Sequence, residues 1–154
     1  MKKNILAFMA ALLLVPGIIM AGGEEITLPN KLVSQSFVKD FPAAQKTSWL
    51  KNKNNIYLAR FVNNDRTQLA YYTHEGEFLG QGWYVGIGDL PAALQKEALK
   101  GKRLEDLQQV YLFLSPDGLP SYYVTFIKNG KKTLREVKAD GETTTVLKKR
   151  NTII

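Results

Sequence analysis

The chain has 154 residues, no cysteine, and 21 lysines and arginines against 14 aspartates and glutamates, for a formal net charge of +7. Without cysteine it has no disulfide framework, no thiolate metal site and no lipid-modified cysteine, so an ordinary hydrophobic core must hold it together. The positive charge is spread out, with small clusters at Lys128–Lys132 and Lys148–Arg150 that read as solvated surface, which excludes nucleic acid as the expected partner.

Residues 1–23 read as a signal peptide. Lys2 and Lys3 precede an apolar run from Ile5 to Val15, and Ala21-Gly22-Gly23 offers small residues for cleavage after Ala21 or after Gly23. Pro16 and Gly17 interrupt the run, which falls short of the roughly 20 apolar residues of a spanning helix. Removal of Lys2 and Lys3 lowers the net charge from +7 to +5, because no acidic residue precedes Glu24. The expectation is a periplasmic or secreted protein with no membrane insertion after cleavage. What remains is long enough for one domain, or for two small halves sharing a core.

The next segment opens at Leu28-Pro29, and Val33, Phe37 and Phe41 recur every four residues as one helical stripe. Four strands are expected after it, near 45–51, 55–63, 66–73 and 77–85, with turns at Asn52–Asn55, Asn63–Asp65 and Glu75–Gly76. A second segment opens at Leu90-Pro91, with Leu94 and Ala98 continuing the stripe and Gly101 placed to end the helix. Its strands are expected near 104–114, 120–128, 131–138 and 142–149, separated by Ser115–Gly118, Asn129-Gly130 and Asp140-Gly141. An offset of 65 residues aligns Tyr57 with Tyr122, Phe61 with Phe126, Asn64 with Asn129, Leu69 with Leu134 and Gly76 with Gly141. Self-similarity at a fixed spacing predicts a tandem repeat. The fold class expected is α+β: a helix plus a four-stranded antiparallel meander, written twice over residues 24–88 and 89–154, with the helices on one face of the sheet or sheets.

Side chains alternate along a strand, so burying Tyr57, Ala59 and Phe61 under a helix turns Leu58 and Arg60 the other way. The same parity turns out Leu69 and Tyr71, and in the second segment Tyr123 and Leu134. These six form the candidate partner-binding face, since a contiguous apolar and aromatic patch marks an interaction site. Trp83 and Tyr84 belong either to this face or to the seam between the halves.

Catalytic patterns are missing. The one histidine, His74, sits in a turn with only Glu75 and Glu77 for company, and no nucleophile elbow, phosphate loop or dinucleotide glycine motif occurs. No catalytic residue, metal ligand or cofactor is expected.

The ordered set Phe37, Phe41-Pro42, Trp49, Tyr57, Phe61, Gly76 and Leu90-Pro91 resembles the PepSY-like proteins exported by Bacteroidetes-type bacteria. The resemblance implies a fold similar to that of the β-lactamase inhibitory protein. It also implies an exported, non-enzymatic protein-binding module, with inhibition or modulation of an envelope enzyme among the forms such binding takes. The chain departs from the pattern at Thr73 and Lys138, where an acidic residue is common, and at Arg135, which interrupts an apolar position. The first two departures count against a calcium role. The alternative from another class is a small-ligand or sensor domain, with a hydrolase behind it. Self-association through the same face stays open.

Overall fold

The computed structural model describes residues 23–150, with the expected leader lying almost wholly outside them. Its elements run β1 (Glu24–Ile26), α1 (Lys31–Asp40), β2 (Gln45–Lys51), β3 (Tyr57–Asn63), β4 (Arg66–Tyr72), β5 (Phe78–Val85), α2 (Ala92–Leu99), β6 (Leu107–Leu114), β7 (Pro120–Lys128), β8 (Lys131–Lys138) and β9 (Thr143–Arg150). Short 3-10 turns, Ile87–Asp89 and Leu104–Asp106, flank α2.

Local chemistry explains the boundaries. Asn30 caps α1, its side-chain oxygen accepting from the Val33 backbone N–H at 3.0 Å. Its amide also donates to the His74 carbonyl at 2.8 Å, tying the helix start to the β4–β5 turn. Gly76 fits that contact with φ at +84°; a Cβ there would lie 2.8 Å from the Leu32 carbonyl oxygen. The turn between β3 and β4 has Asn64 and Asp65 at positive φ, and that between β7 and β8 has Asn129 and Gly130, the geometry of two-residue hairpins.

All nine strands form one antiparallel sheet in chain order, β1 to β9. The expected tandem repeat of helix and four-stranded meander is overturned by this sheet. A ninth strand, β1, lies ahead of α1 and pairs with β2 from Glu24↔Lys51 to Ile26↔Trp49. β5 pairs with β6 from Gln81↔Leu114 to Val85↔Val110, so the ladder passes through the middle of the chain without a break. One buried cluster also draws Leu58 and Tyr71 from the first half and Tyr111, Phe113, Tyr123 and Leu134 from the second. Among the described residues two α-helices, of ten and eight residues, accompany the sheet. Self-similarity at 65 residues therefore reports similar local patterning, while non-local pairing decides the architecture.

Two further clusters lie on the other face. Val33 and Phe37 of α1 bury against Trp49, Tyr57, Phe61 and Tyr72. The Phe37 ring meets those of Trp49 at 5.0 Å and Phe61 at 5.1 Å, both edge-on. Leu94 and Ala98 of α2 bury against Val110, Val124, Phe126 and Val137. Register shifts interrupt the β2–β3, β4–β5, β6–β7 and β8–β9 ladders. Bulges of this kind bend a sheet and increase its twist.

Candidate binding face

The register assigns side chains to the sheet face opposite the two described helices. Arg60 lies opposite Leu69, Leu58 opposite Tyr71, Tyr71 opposite Gly80 and Leu69 opposite Gly82. Tyr84 then faces Tyr111, which faces Tyr123, which faces Glu136. The centre of this face is closed. Leu58, Tyr71, Tyr111, Phe113, Tyr123 and Leu134 are all buried, Tyr71 and Tyr111 completely, though the cluster contains no helical residue. The described residues that pack there are all strand side chains, some of them leaning over a neighbouring strand, as the Phe113 ring does over Gly80.

Gly80 and Gly82 make that lean possible. A Cβ at Gly80 would sit 2.4 Å from the Phe113 ring, and one at Gly82 would sit 2.5 Å from the Tyr111 hydroxyl. The β6 rings therefore occupy the space β5 leaves empty. Across it the Tyr71 and Tyr111 hydroxyls meet at 2.9 Å, while the Tyr71 and Phe113 rings lie 5.9 Å apart. On the next strands the Tyr123 hydroxyl donates to Glu136 Oε1 at 3.0 Å, satisfying a carboxyl group that is itself buried.

Burial pushes the Tyr71 phenol well above its ordinary value, and Tyr111 adds to the effect through charge and their shared hydrogen bond. Burial likewise raises Tyr111, and it raises Tyr123 with Glu136 reinforcing it. At Tyr84 burial raises the value while Arg60 opposes it. These phenols stay protonated at neutral pH and act as hydrogen-bonding and packing groups, not as bases or nucleophiles.

The six residues singled out from the sequence fall on this one face in distinct environments. Leu58, Tyr71, Tyr123 and Leu134 form its buried floor, Leu69 is half-buried, and Arg60 is exposed. Sequence reasoning did not single out Tyr111, Phe113 or Glu136. The signal for the first two was the spacing of Gly80 and Gly82, two missing side chains on one face of a strand. Tyr84 and Trp83 point to opposite faces. Tyr84 is 51% exposed and stacks edge-on against Tyr111 at 5.2 Å, whereas Trp83 lies on the helical face with the Arg66 guanidinium 5.3 Å from its ring centre.

Beside this floor is an open hollow of about 250 Å3 lined by Lys46, Ser48, Arg60 and Thr67. A second, of about 360 Å3, lies by Glu97, Lys100 and Arg135 on the helical face. The His74 side chain is exposed and pairs with Glu75 at 3.1 Å. Among the described residues no three His, Cys, Asp or Glu side chains converge as a metal site would require.

Solved structures share this arrangement. A protein from Bacteroides eggerthii, described as a candidate periplasmic protein, matches with a TM-score of 0.68 at 20% identity, over 82% of this chain and 93% of its own. The likeness is one of fold. A DUF2874 family protein from Bacteroides ovatus matches with a TM-score of 0.66 at 17% identity, over 79% and 90%. A BLIP-like protein from Bacteroides fragilis matches with a TM-score of 0.62 at 18% identity, over 82% and 89%. No protein-family model matches the chain, and no curated protein does. None of these three neighbours is described as an enzyme. Among the described residues no helix is long and apolar enough to cross a membrane.

Proposed function

We propose that this chain is an exported, non-enzymatic protein-binding module of the bacterial envelope, and that it binds through the sheet face opposite its two described helices. One observation carries the reading. An aromatic floor made rigid by packing and hydrogen bonds holds Tyr84 half-exposed at its edge, with Arg60 exposed nearby. Tyr and Arg are the residue types most often found at binding hot spots, and a pre-formed surface loses little freedom when a partner arrives. The leader-like residues 1–23, the PepSY-like motif order and the fold shared with candidate periplasmic and BLIP-like proteins support export and a binding role. Inhibition or modulation of an envelope enzyme is the form of binding that the BLIP-like fold suggests.

On this reading, burial separates residues that support the surface from those available to a partner. Tyr71 and Tyr123 support the surface from below, with Leu58 and Leu134, while Arg60, Leu69 and Tyr84 offer side-chain area to a partner. The test is capture from an envelope extract on immobilised wild-type protein and on the Arg60→Ala/Tyr84→Ala variant. A partner held by the wild type should be lost from the variant while the unfolding transition is unchanged. Equal retention on both proteins refutes this face. So does loss of the partner on changing the exposed Leu32 and Val38 of α1 instead.

A further inference from the structure

We infer that a second surface, the cation-rich end of the sheet around the β7–β8 turn, docks on an anionic bilayer. Lys128 and Lys131 lie directly opposite each other beside that turn, and Lys148 lies opposite Thr133 on the adjoining strand. Their register places all three on the helical face. Beyond the end of α2 the chain adds Lys102, whose ammonium lies 5.5 Å from the centre of the Phe126 ring, with the Arg135 guanidinium 5.8 Å from the same ring.

The charges are close enough to influence one another. Burial lowers the affinity of Lys102 for its proton, and Arg135, Lys148 and Lys128 lower it further, with Asp106 opposing them. Nearby, Glu105 is engaged by Arg103. Among the described residues, Lys128, Lys131 and Lys148 form no salt bridge. Like charges directly across a ladder destabilise a sheet, a cost that a nearby anionic surface would offset.

Leu104 decides between a bilayer and a dissolved polyanion. It is 61% exposed in the 3-10 turn that leads into β6, and Leu107, three residues on, lies opposite Phe126. Leu104 stands in the turn between Arg103 and Glu105, two residues after Lys102, and an exposed apolar side chain beside a cationic patch gains from hydrocarbon at a headgroup boundary and gains nothing from a polyanion in water.

The test is co-sedimentation of the full chain with phosphatidylcholine vesicles, with and without about a quarter phosphatidylglycerol. The readout is the difference between the two vesicle types, in which the leader common to every variant does not count as a difference between variants. Wild type should prefer the anionic vesicles at about 0.1 M salt and lose most of that preference at about 1 M, where the screening length falls to about 3 Å. Lys128→Gln/Lys131→Gln should lower the anionic partition by roughly 25-fold, the product of two roughly fivefold losses for lysines at such a surface. Leu104→Ser should weaken vesicle binding and leave retention on heparin unchanged. Equal binding to both vesicle types, or an unaffected double-lysine variant, overturns the proposal. Heparin retention without vesicle binding overturns it too, in favour of a soluble polyanion.

Discussion

Removing one hydroxyl from the Tyr71–Tyr111 pair should cost more than removing both. The two oxygens lie 2.9 Å apart, and both residues are completely buried. Tyr71→Phe leaves the Tyr111 hydroxyl in an apolar setting without its partner, and Tyr111→Phe does the reverse. Each single change should therefore cost about 2 kcal/mol, within the usual range for orphaning a buried polar group. Independent effects would sum to about 4 kcal/mol, whereas the double variant removes the desolvated pair entirely and should lose less than about 1 kcal/mol, a coupling of about 3 kcal/mol. Urea unfolding of the four proteins, read by fluorescence and by far-UV circular dichroism, measures the cycle. Additive losses would show that the hydroxyls do not share a bond, and the account of the floor as one rigid unit across β5 would fail.

Two other outcomes follow from the geometry. Arg135 Nη1 donates to the carbonyls of Glu97, Ala98 and Lys100 at 3.2, 2.7 and 2.9 Å, closing the C-terminal end of α2, so Arg135→Met should lose about 1–2 kcal/mol in urea unfolding. In alkaline titration followed by phenolate absorbance, Tyr71, Tyr111 and Tyr123 should not ionise in the folded protein. Because their folded values are raised, the stability they contribute is complete below the unfolded phenol value of about 10 and declines as pH rises beyond it, so their ionisation should coincide with unfolding. A smooth titration of these phenols with native circular dichroism retained would contradict their burial.

Strand and turn positions were legible because they depend on local chemistry. Asn64-Asp65 and Asn129-Gly130 adopt the positive φ values a tight hairpin requires, and alternation along β3 separates Phe61 from Leu58. Three aspects were not legible. β1 spans only Glu24–Ile26, too short to carry an alternation, and its pairing with β2 depends on a partner beyond α1. The β5–β6 junction joins residues separated by a whole helix, so no local period encodes it. Parity puts Tyr71 and Tyr123 on the face opposite the helices, but it does not reveal how far the sheet bends or which rings lean over which strands. Gly80 and Gly82 held that information, since each missing Cβ leaves room for a ring from β6.

This closure changes what the face can do. A fully buried ring adds no contact area to a complex, so the affinity of the proposed interface must come from Tyr84, Arg60 and the half-buried Leu69. Tyr84 is not independent of the floor. Its ring rests against Tyr111, whose hydroxyl is held by Tyr71 across the gap left by the β5 glycines. Filling that gap with Gly82→Ala would bring a Cβ within 2.3 Å of the Leu112 carbonyl oxygen and 2.5 Å of the Tyr111 hydroxyl, forcing strand and ring apart. The glycines thus connect folding to the proposed interface: they leave room for the Phe113 and Tyr111 rings, and Tyr84, resting against Tyr111, takes its orientation from that packing.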